Sequence, residues 1–189
     1  MHGVILNQFR QYVAAEFGFR TWTRVLREGE RPVSQHYELT ETYPDDELGL
    51  LASRTAHITG LPPAQVLEGF GASMVPEMLR IYSYMVDPEW TYAEFLLNME
   101  PLLHQVLELH TPGTQPTKLH ARRLGPDSVE VTYDSPLRAC AAVMGVLRGA
   151  AKEYGVAIEA GQDRCVLRGD PSCVFTVHMQ PKAPPSAGK

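Results

Sequence analysis

Apolar positions recur at helical spacing through the first two thirds of the chain. Val4, Leu6, Phe9, Tyr12, Val13 and Phe17 form one stripe that Gly18 ends. Trp22, Val25 and Leu26 predict a short second helix closed by Gly29 and Pro32. Thr42 to Leu48 looks like a helix start, with acids suited to the dipole; Leu48, Leu51, Ala52 and Ala56 face inward and the stop lies near Gly60. Pro62 or Pro63 opens a further helix through Val66, Leu67 and Phe70, and Met74 to Met85 forms another apolar helical stretch. Thr91 to Leu109 continues the pattern, with Pro101 kinking it or starting a new helix.

The period changes after Pro112-Gly113. Lys118 to Leu124, the turn Gly125-Pro-Asp-Ser and Val129 to Tyr133 predict a β-hairpin. A small-residue helix follows from about Pro136 to Tyr154. Val156-Ala-Ile-Glu and Cys173 to His178 predict two more strands with a Gly-Asp-Pro-Ser turn between them. The order of elements gives an α+β fold, helices packed on a small, mostly antiparallel sheet. Residues 181–189, rich in Pro, Ala, Gly and Lys, read as a disordered tail.

Length and charge narrow the function. The chain has 189 residues, enough for one domain with its own core. Seventeen Lys+Arg against 22 Asp+Glu give a net charge of -5, which argues against nucleic-acid binding. No apolar run is long enough to span a membrane, and the opening lacks a signal-peptide pattern. Three cysteines make an extracellular disulfide framework a poor explanation, so a reducing cytoplasm is expected.

There is no Gly-x-Gly-x-x-Gly, P-loop, His-Glu-x-x-His or Gly-x-Ser-x-Gly, so no enzymatic motif presents itself. Asp45-Asp46 fits a helix N-terminus. Three other features carry chemistry beside an ordinary structural role. His104, inside Leu102-Leu-His-Gln-Val-Leu, is either a core histidine or a metal or haem ligand. Tyr133-Asp-Ser-Pro-Leu-Arg138 gathers two hydroxyls and a guanidinium, which suit a dianion, while Ser135 also fits an N-cap. Cys140, Cys165 and Cys173 are either buried packing thiols or three ligands of a zinc-like site.

Taken in order, these features resemble the haem-nitric oxide/oxygen binding family, H-NOX, whose members include stand-alone bacterial sensors and the haem domain of soluble guanylate cyclase. The resemblance covers nearly the whole chain. Met1-His-Gly-Val-Ile-Leu-Asn is similar to the family's first helix and Glu68-Gly-Phe-Gly71 to its glycine motif; Leu103-His104 with Pro112-Gly113 is similar to its proximal histidine and following turn. The resemblance implies one haem domain over 1–180, with a distal helical part over about 1–60 and a proximal α+β part over 61–180. Haem b lies between them, with His104 on the iron.

The family's haem-propionate motif is Tyr-x-Ser-x-Arg. Tyr133 and Ser135 match it, Leu137 stands at the Arg position, and Arg138 follows one residue later. Distal-wall positions fall on Ile5, Phe9, Met74 and Ala142; oxygen-binding members carry a tyrosine at the last of these. Dioxygen on ferrous iron gathers negative charge and wants a donor, so this apolar wall implies preference for nitric oxide and carbon monoxide. Nitric oxide weakens the opposite iron–histidine bond in the family and frees the histidine's helix. Pro116 lies one residue before the family's haem-pressing proline, which falls at Thr117.

The three cysteines match those of a zinc-bearing bacterial subset that uses Cys, His, Cys, Cys, with Gln162 at the histidine position. Asp163, His178 or water could complete that site, and oxidation to a disulfide is the alternative. No output module appears in the sequence, so the implied partner is a separate effector, a histidine kinase or cyclic-dinucleotide enzyme. Two rivals stand beside this reading. One is a haem-free module of the vinyl-4-reductase type, which shares the Gly169-to-Phe175 ending. The other is a haem enzyme, which would need a distal acid–base residue that the sequence does not offer.

Overall fold

The computed structural model describes residues 1–110 and 118–180, and of residues 107–110 the backbone alone. Helices α1 (Gly3–Phe17), α2 (Phe19–Glu28) and α3 (Glu47–Thr59) come first, each apolar on one stripe. Gly18, at φ 86°, makes the corner between α1 and α2 in the left-handed region that favours glycine. Leu48, Leu51, Ala52 and Ala56 are buried as their spacing predicts, and Gly60 closes α3 in the left-handed conformation.

Helix α4 (Pro63–Ile81) differs from expectation, being one helix where two were predicted. Pro63 occupies its first turn, where a missing N–H costs nothing. Pro76 lies inside it and cannot bond the Ala72 carbonyl, yet the helix runs through to Ile81, and Ser83–Met85 is a separate 3-10 turn. Packing on α7 (Cys140–Glu153) accompanies this continuity. Next come α5 (Tyr92–Leu97), opened by a Thr91–Glu94 capping box, and α6 (Met99–His110). Pro101 falls in the first turn of α6, so it begins a helix and does not kink one.

Strands β1 (Lys118–Gly125), β2 (Ser128–Asp134), β3 (Ile158–Arg164) and β4 (Cys173–Met179) form one antiparallel sheet in the order β1-β2-β4-β3. The pairs Val129–Val177, Val131–Phe175 and Tyr133–Cys173 stack buried side chains on one face. Helices α5, α6 and α7 share the core on that face.

Two hydrophobic clusters result. The first joins Leu6, Phe9, Trp22, Leu26, Leu51 and Phe70 with Ala139 and Ala142. The second joins α5, the sheet's inner face and the rest of α7. Their division runs through α4, with Phe70 on one side and Val75 on the other. In the first cluster, buried Glu47 accepts from the Tyr37 hydroxyl at 2.7 Å and from Arg31 at 2.9 Å. Its charge is thus compensated where an unpaired one would be costly.

The two clusters are stitched by a close crossing of α4 and α7. A Cβ on Gly71 would overlap the Ala142 carbonyl, and one on Gly145 the Glu68 carbonyl. Gly149 lies against Ala72, whose carbonyl Pro76 leaves unbonded within α4; a Cβ there would stand 2.9 Å from that oxygen. Arg148 of α7 also pairs with the Glu68 side chain of α4.

In a free helix, glycine to alanine is worth up to about 1 kcal/mol of added stability. At this crossing the sign reverses. Gly71→Ala is expected to cost about 1–3 kcal/mol by overpacking, read as a lower urea midpoint at unchanged slope.

Burial of Tyr37, Tyr92 and Tyr133 pushes their phenols above the ordinary value of 10.0. The folded chain therefore holds these protons more tightly than the unfolded one. The corresponding stability is complete below about pH 10 and is lost as pH climbs towards the raised folded values. Urea midpoints should fall above pH 10. Tyr92→Phe, which also removes the 2.9 Å bond to the Leu147 carbonyl, should lower the midpoint at neutral pH and flatten the alkaline fall.

Candidate functional site

An apolar cavity of about 230 Å³ opens between α4 and α6. Met74, Met78 and Tyr82 recur every fourth residue along the α4 side, and Leu102, Leu103 and Val106 form the α6 side. Phe95, Leu119, Tyr133 and Val146 close the inner end. Among the described residues the two tyrosines are its polar lining. A cavity of this character stays dry and takes apolar or flat aromatic matter.

Tyr133 comes from β2, whose alternation buries Val129, Val131 and Tyr133 on the helix side. Desolvation raises its phenol, opposed by hydrogen bonding with Ser135 and the Ala139 backbone. Ser135 is buried beside it and accepts from the Leu137 N–H at 3.3 Å, a local turn of the kind serine favours. The N-cap of α7 is Ala139, with α7 starting at Cys140, so the predicted start near Pro136 and the N-cap role of Ser135 are both corrected.

That later start decides the place of Arg138. It precedes the helix, with φ 49°, and its exposed guanidinium donates to the Val166 carbonyl at 3.4 Å. It points to the β3–β4 connection and does not join Tyr133 and Ser135. Leu137, at the motif's arginine position, packs against the first cluster.

His104 is exposed on α6 and is absent from the cavity lining, which takes Leu103 and Val106 from the same helix. One residue is about 100° of helix, so the facing of Leu103 turns His104 outward. The structure thus does not bring His104 to Tyr133 and Ser135. Of the distal-wall residues, Met74 lines the cavity, whereas Ile5, Phe9 and Ala142 belong to the first cluster behind it. Pro116 and Pro112-Gly113 lie outside the described residues.

The composition of the cavity suits a flat macrocycle. Its apolar walls match an aromatic ring system, and Tyr133, hydrogen-bonded with Ser135, brings a hydroxyl to its lining. The iron ligand is the part that this arrangement of α6 does not supply. Tyr82 was missed by the sequence reading, although its spacing of four from Met78 and Met74 marks it. Burial raises its phenol, with Tyr84 adding to the shift, so it is protonated at neutral pH.

The three cysteines converge. Their sulfurs all lie within 4.8 Å of one another, with Cys140 and Cys165 3.6 Å apart, and all three are buried and free. Burial pushes the Cys173 thiol up to about 11, against the Val166 N–H that favours its thiolate. Burial also acts upward on Cys165, but backbone bonds from Leu167 and Arg168 and bonds with the other thiols bring it below the ordinary value.

Comparison with known proteins adds to this geometry. A family model described as haem-NO-binding matches residues 2–162. Soluble guanylate cyclase gcy-35 of Caenorhabditis elegans is 27% identical over 108 residues, which are 57% of this chain and 14% of that protein. The match thus spans about a seventh of that relative's length. An H-NOX protein from S. oneidensis, solved in the Fe(II)NO ligation state, superposes with TM-score 0.84 at 22% identity, covering 96% of this chain and 100% of the other. An oxygen-binding H-NOX domain related to soluble guanylate cyclases, solved as its oxygen complex, gives 0.76 at 16% identity and 100% coverage of both. No helix among the described residues is long and apolar enough to cross a membrane.

Proposed function

The chain belongs to the haem-NO-binding family of haem-based gas-sensing domains, and from that premise we propose that it is a nitric oxide sensor acting on a separate effector. The observation that carries the reading is the apolar cavity between α4 and α6 with Tyr133 in its lining and Ser135 buried beside that phenol. Residues 1–180 act as one domain holding haem b, whose ferrous iron supplies the position where a diatomic gas binds. Tyr133 and Ser135 donate to the propionates. Leu137 offers them nothing, and Arg138 reaches them only by leaving the Val166 carbonyl.

His104 would hold the iron if α6 presented it at the cavity wall in place of Leu103, a difference of one residue or roughly 100° of helix. α6 then has two facings of different histidine exposure, and a ligand that favours one of them shifts the population. This gives the helix its part in passing a signal to a histidine kinase or cyclic-dinucleotide enzyme.

Gas choice follows from the side chains near the distal wall. The residues that the resemblance puts on the distal wall, Ile5, Phe9, Met74 and Ala142, carry no side-chain donor, which supports a preference for nitric oxide and carbon monoxide over dioxygen, with Tyr82 the cavity hydroxyl that this preference requires to stay off the gas. Among the described residues no histidine or carboxylate lines the pocket, which supports a sensor over a peroxide-handling enzyme. The outward His104 favours a second reading, a haem-free module of the vinyl-4-reductase type that holds a small apolar ligand in the same cavity. Haem uptake separates the two.

His104→Gly should lose or weaken haem retention, with five-coordinate ferrous absorption restored by added imidazole; an unchanged ferrous spectrum would overturn the ligand assignment. Tyr133→Phe and Ser135→Ala should each weaken haem retention by about 1.5–3 kcal/mol, the worth of a hydrogen bond to a charged group, measured as haem transfer to apomyoglobin.

Ala142→Tyr should raise oxygen affinity, read as an oxygen-dependent shift of the ferrous Soret band. Tyr82→Phe should leave the wild-type indifference to oxygen unchanged. A stable wild-type oxygen complex abolished by Tyr82→Phe would make Tyr82 the donor and overturn the selectivity.

A further inference from the structure

Three thiols on three separate segments meet behind the cavity. Cys140 is the first residue of α7, Cys165 follows β3, and Cys173 opens β4. Their mutual spacing, from 3.6 Å to at most 4.8 Å, brackets the roughly 4 Å between sulfurs that share one ion at a metal–sulfur distance of about 2.3 Å.

Structural zinc asks for four protein ligands. Among the described residues no histidine, aspartate or glutamate joins the three sulfurs. Asp163 accepts from the Thr176 hydroxyl at 2.6 Å, and Asp170 accepts from the Cys165 N–H at 2.7 Å. His178 is exposed, on the β4 face opposite Cys173, Phe175 and Val177. Burial of all three cysteines leaves no open side for a water ligand. Zinc as the family's bacterial subset holds it does not fit this donor set.

We propose that Cys140, Cys165 and Cys173 form a three-coordinate thiolate site for a soft monovalent ion, Cu(I). Thiolates select Cu(I) by softness, and Cu(I), unlike zinc, is satisfied by three sulfurs. Binding releases the thiol protons to solvent and changes no oxidation state, since the ion enters already monovalent. Three thiolates around one positive charge leave the site anionic. Gln162 pairs with Phe175 and so shares the face of the sheet with Cys173; its buried amide nitrogen has no hydrogen-bond partner among the described residues, a donor left over on the face where that charge falls. Cys173 is also the ladder partner of Tyr133, so an ion here braces the strand that carries the cavity's phenol.

The site does not depend on haem, so its test uses the full chain in reduced, haem-free form under anaerobic conditions. Titration with Cu(I) against bicinchoninate should show one equivalent bound, and X-ray absorption should count three sulfurs. Each single Cys→Ser variant should weaken Cu(I) binding at least 100-fold, with circular dichroism confirming the fold. Gln162→His keeps every thiol and should convert the site to zinc, giving tight zinc uptake and a tetrahedral Co(II) spectrum absent from wild type. Failure of the wild-type chain to take up Cu(I) overturns the proposal. So does wild-type zinc binding with a tetrahedral Co(II) spectrum.

Discussion

The backbone-to-backbone crossing of α4 and α7 is the constraint on which the rest of the molecule depends. Gly71 and Gly145 allow each helix to rest on a carbonyl of the other, at Ala142 and Glu68. The approach is too close for side chains, so the two helices move as one body or not at all. Because α4 carries Phe70 into one hydrophobic cluster and Val75 into the other, the crossing joins both clusters without merging them. The cavity is what remains beyond the crossing, where α4 continues to Tyr82 and α6 provides the facing wall.

That arrangement assigns different freedoms to the cavity's two sides. The α4 side is fixed by α7 and by the phenol of Tyr92 bonded to Leu147. The α6 side rests on its own apolar stripe against the opening, with contacts to α5 and β1. In this structure that side presents Leu103 to the cavity and leaves His104 exposed.

Much of this was legible in the sequence, because its elements obey local rules. The 3.6-residue stripe of α1, the inward set Leu48, Leu51, Ala52 and Ala56, and the alternation of Val129, Val131 and Tyr133 all reappear as burial. The departures are places where tertiary contact overrides a local signal. The stretches from Pro63 and from Met74 read as two helices, but they form one, and packing on α7 accompanies the run of α4 through Pro76. Pro136 reads as a helix start, but Ser135 folds the chain into a turn first, delaying α7 to Cys140 and sending Arg138 outward. The facing of α6 was not legible at all. Leu102, Leu103, Val106 and His104 are all close in sequence, and a turn of one residue changes which of them looks inward.

The delayed start of α7 links the two candidate sites. A helix opening at Pro136 would have put Arg138 in its first turn and Cys140 in its second. By opening at Cys140, the chain places a thiol at the positive end of the helix and within 3.6 Å of Cys165. The same turn buries Ser135 next to Tyr133. One short segment, residues 134–140, therefore sets both the hydroxyl pair at the cavity's end and the first sulfur of the thiol cluster, with β4 completing each through the Tyr133–Cys173 pair. The thiols and the cavity's phenol are thus joined by a single backbone ladder and one turn.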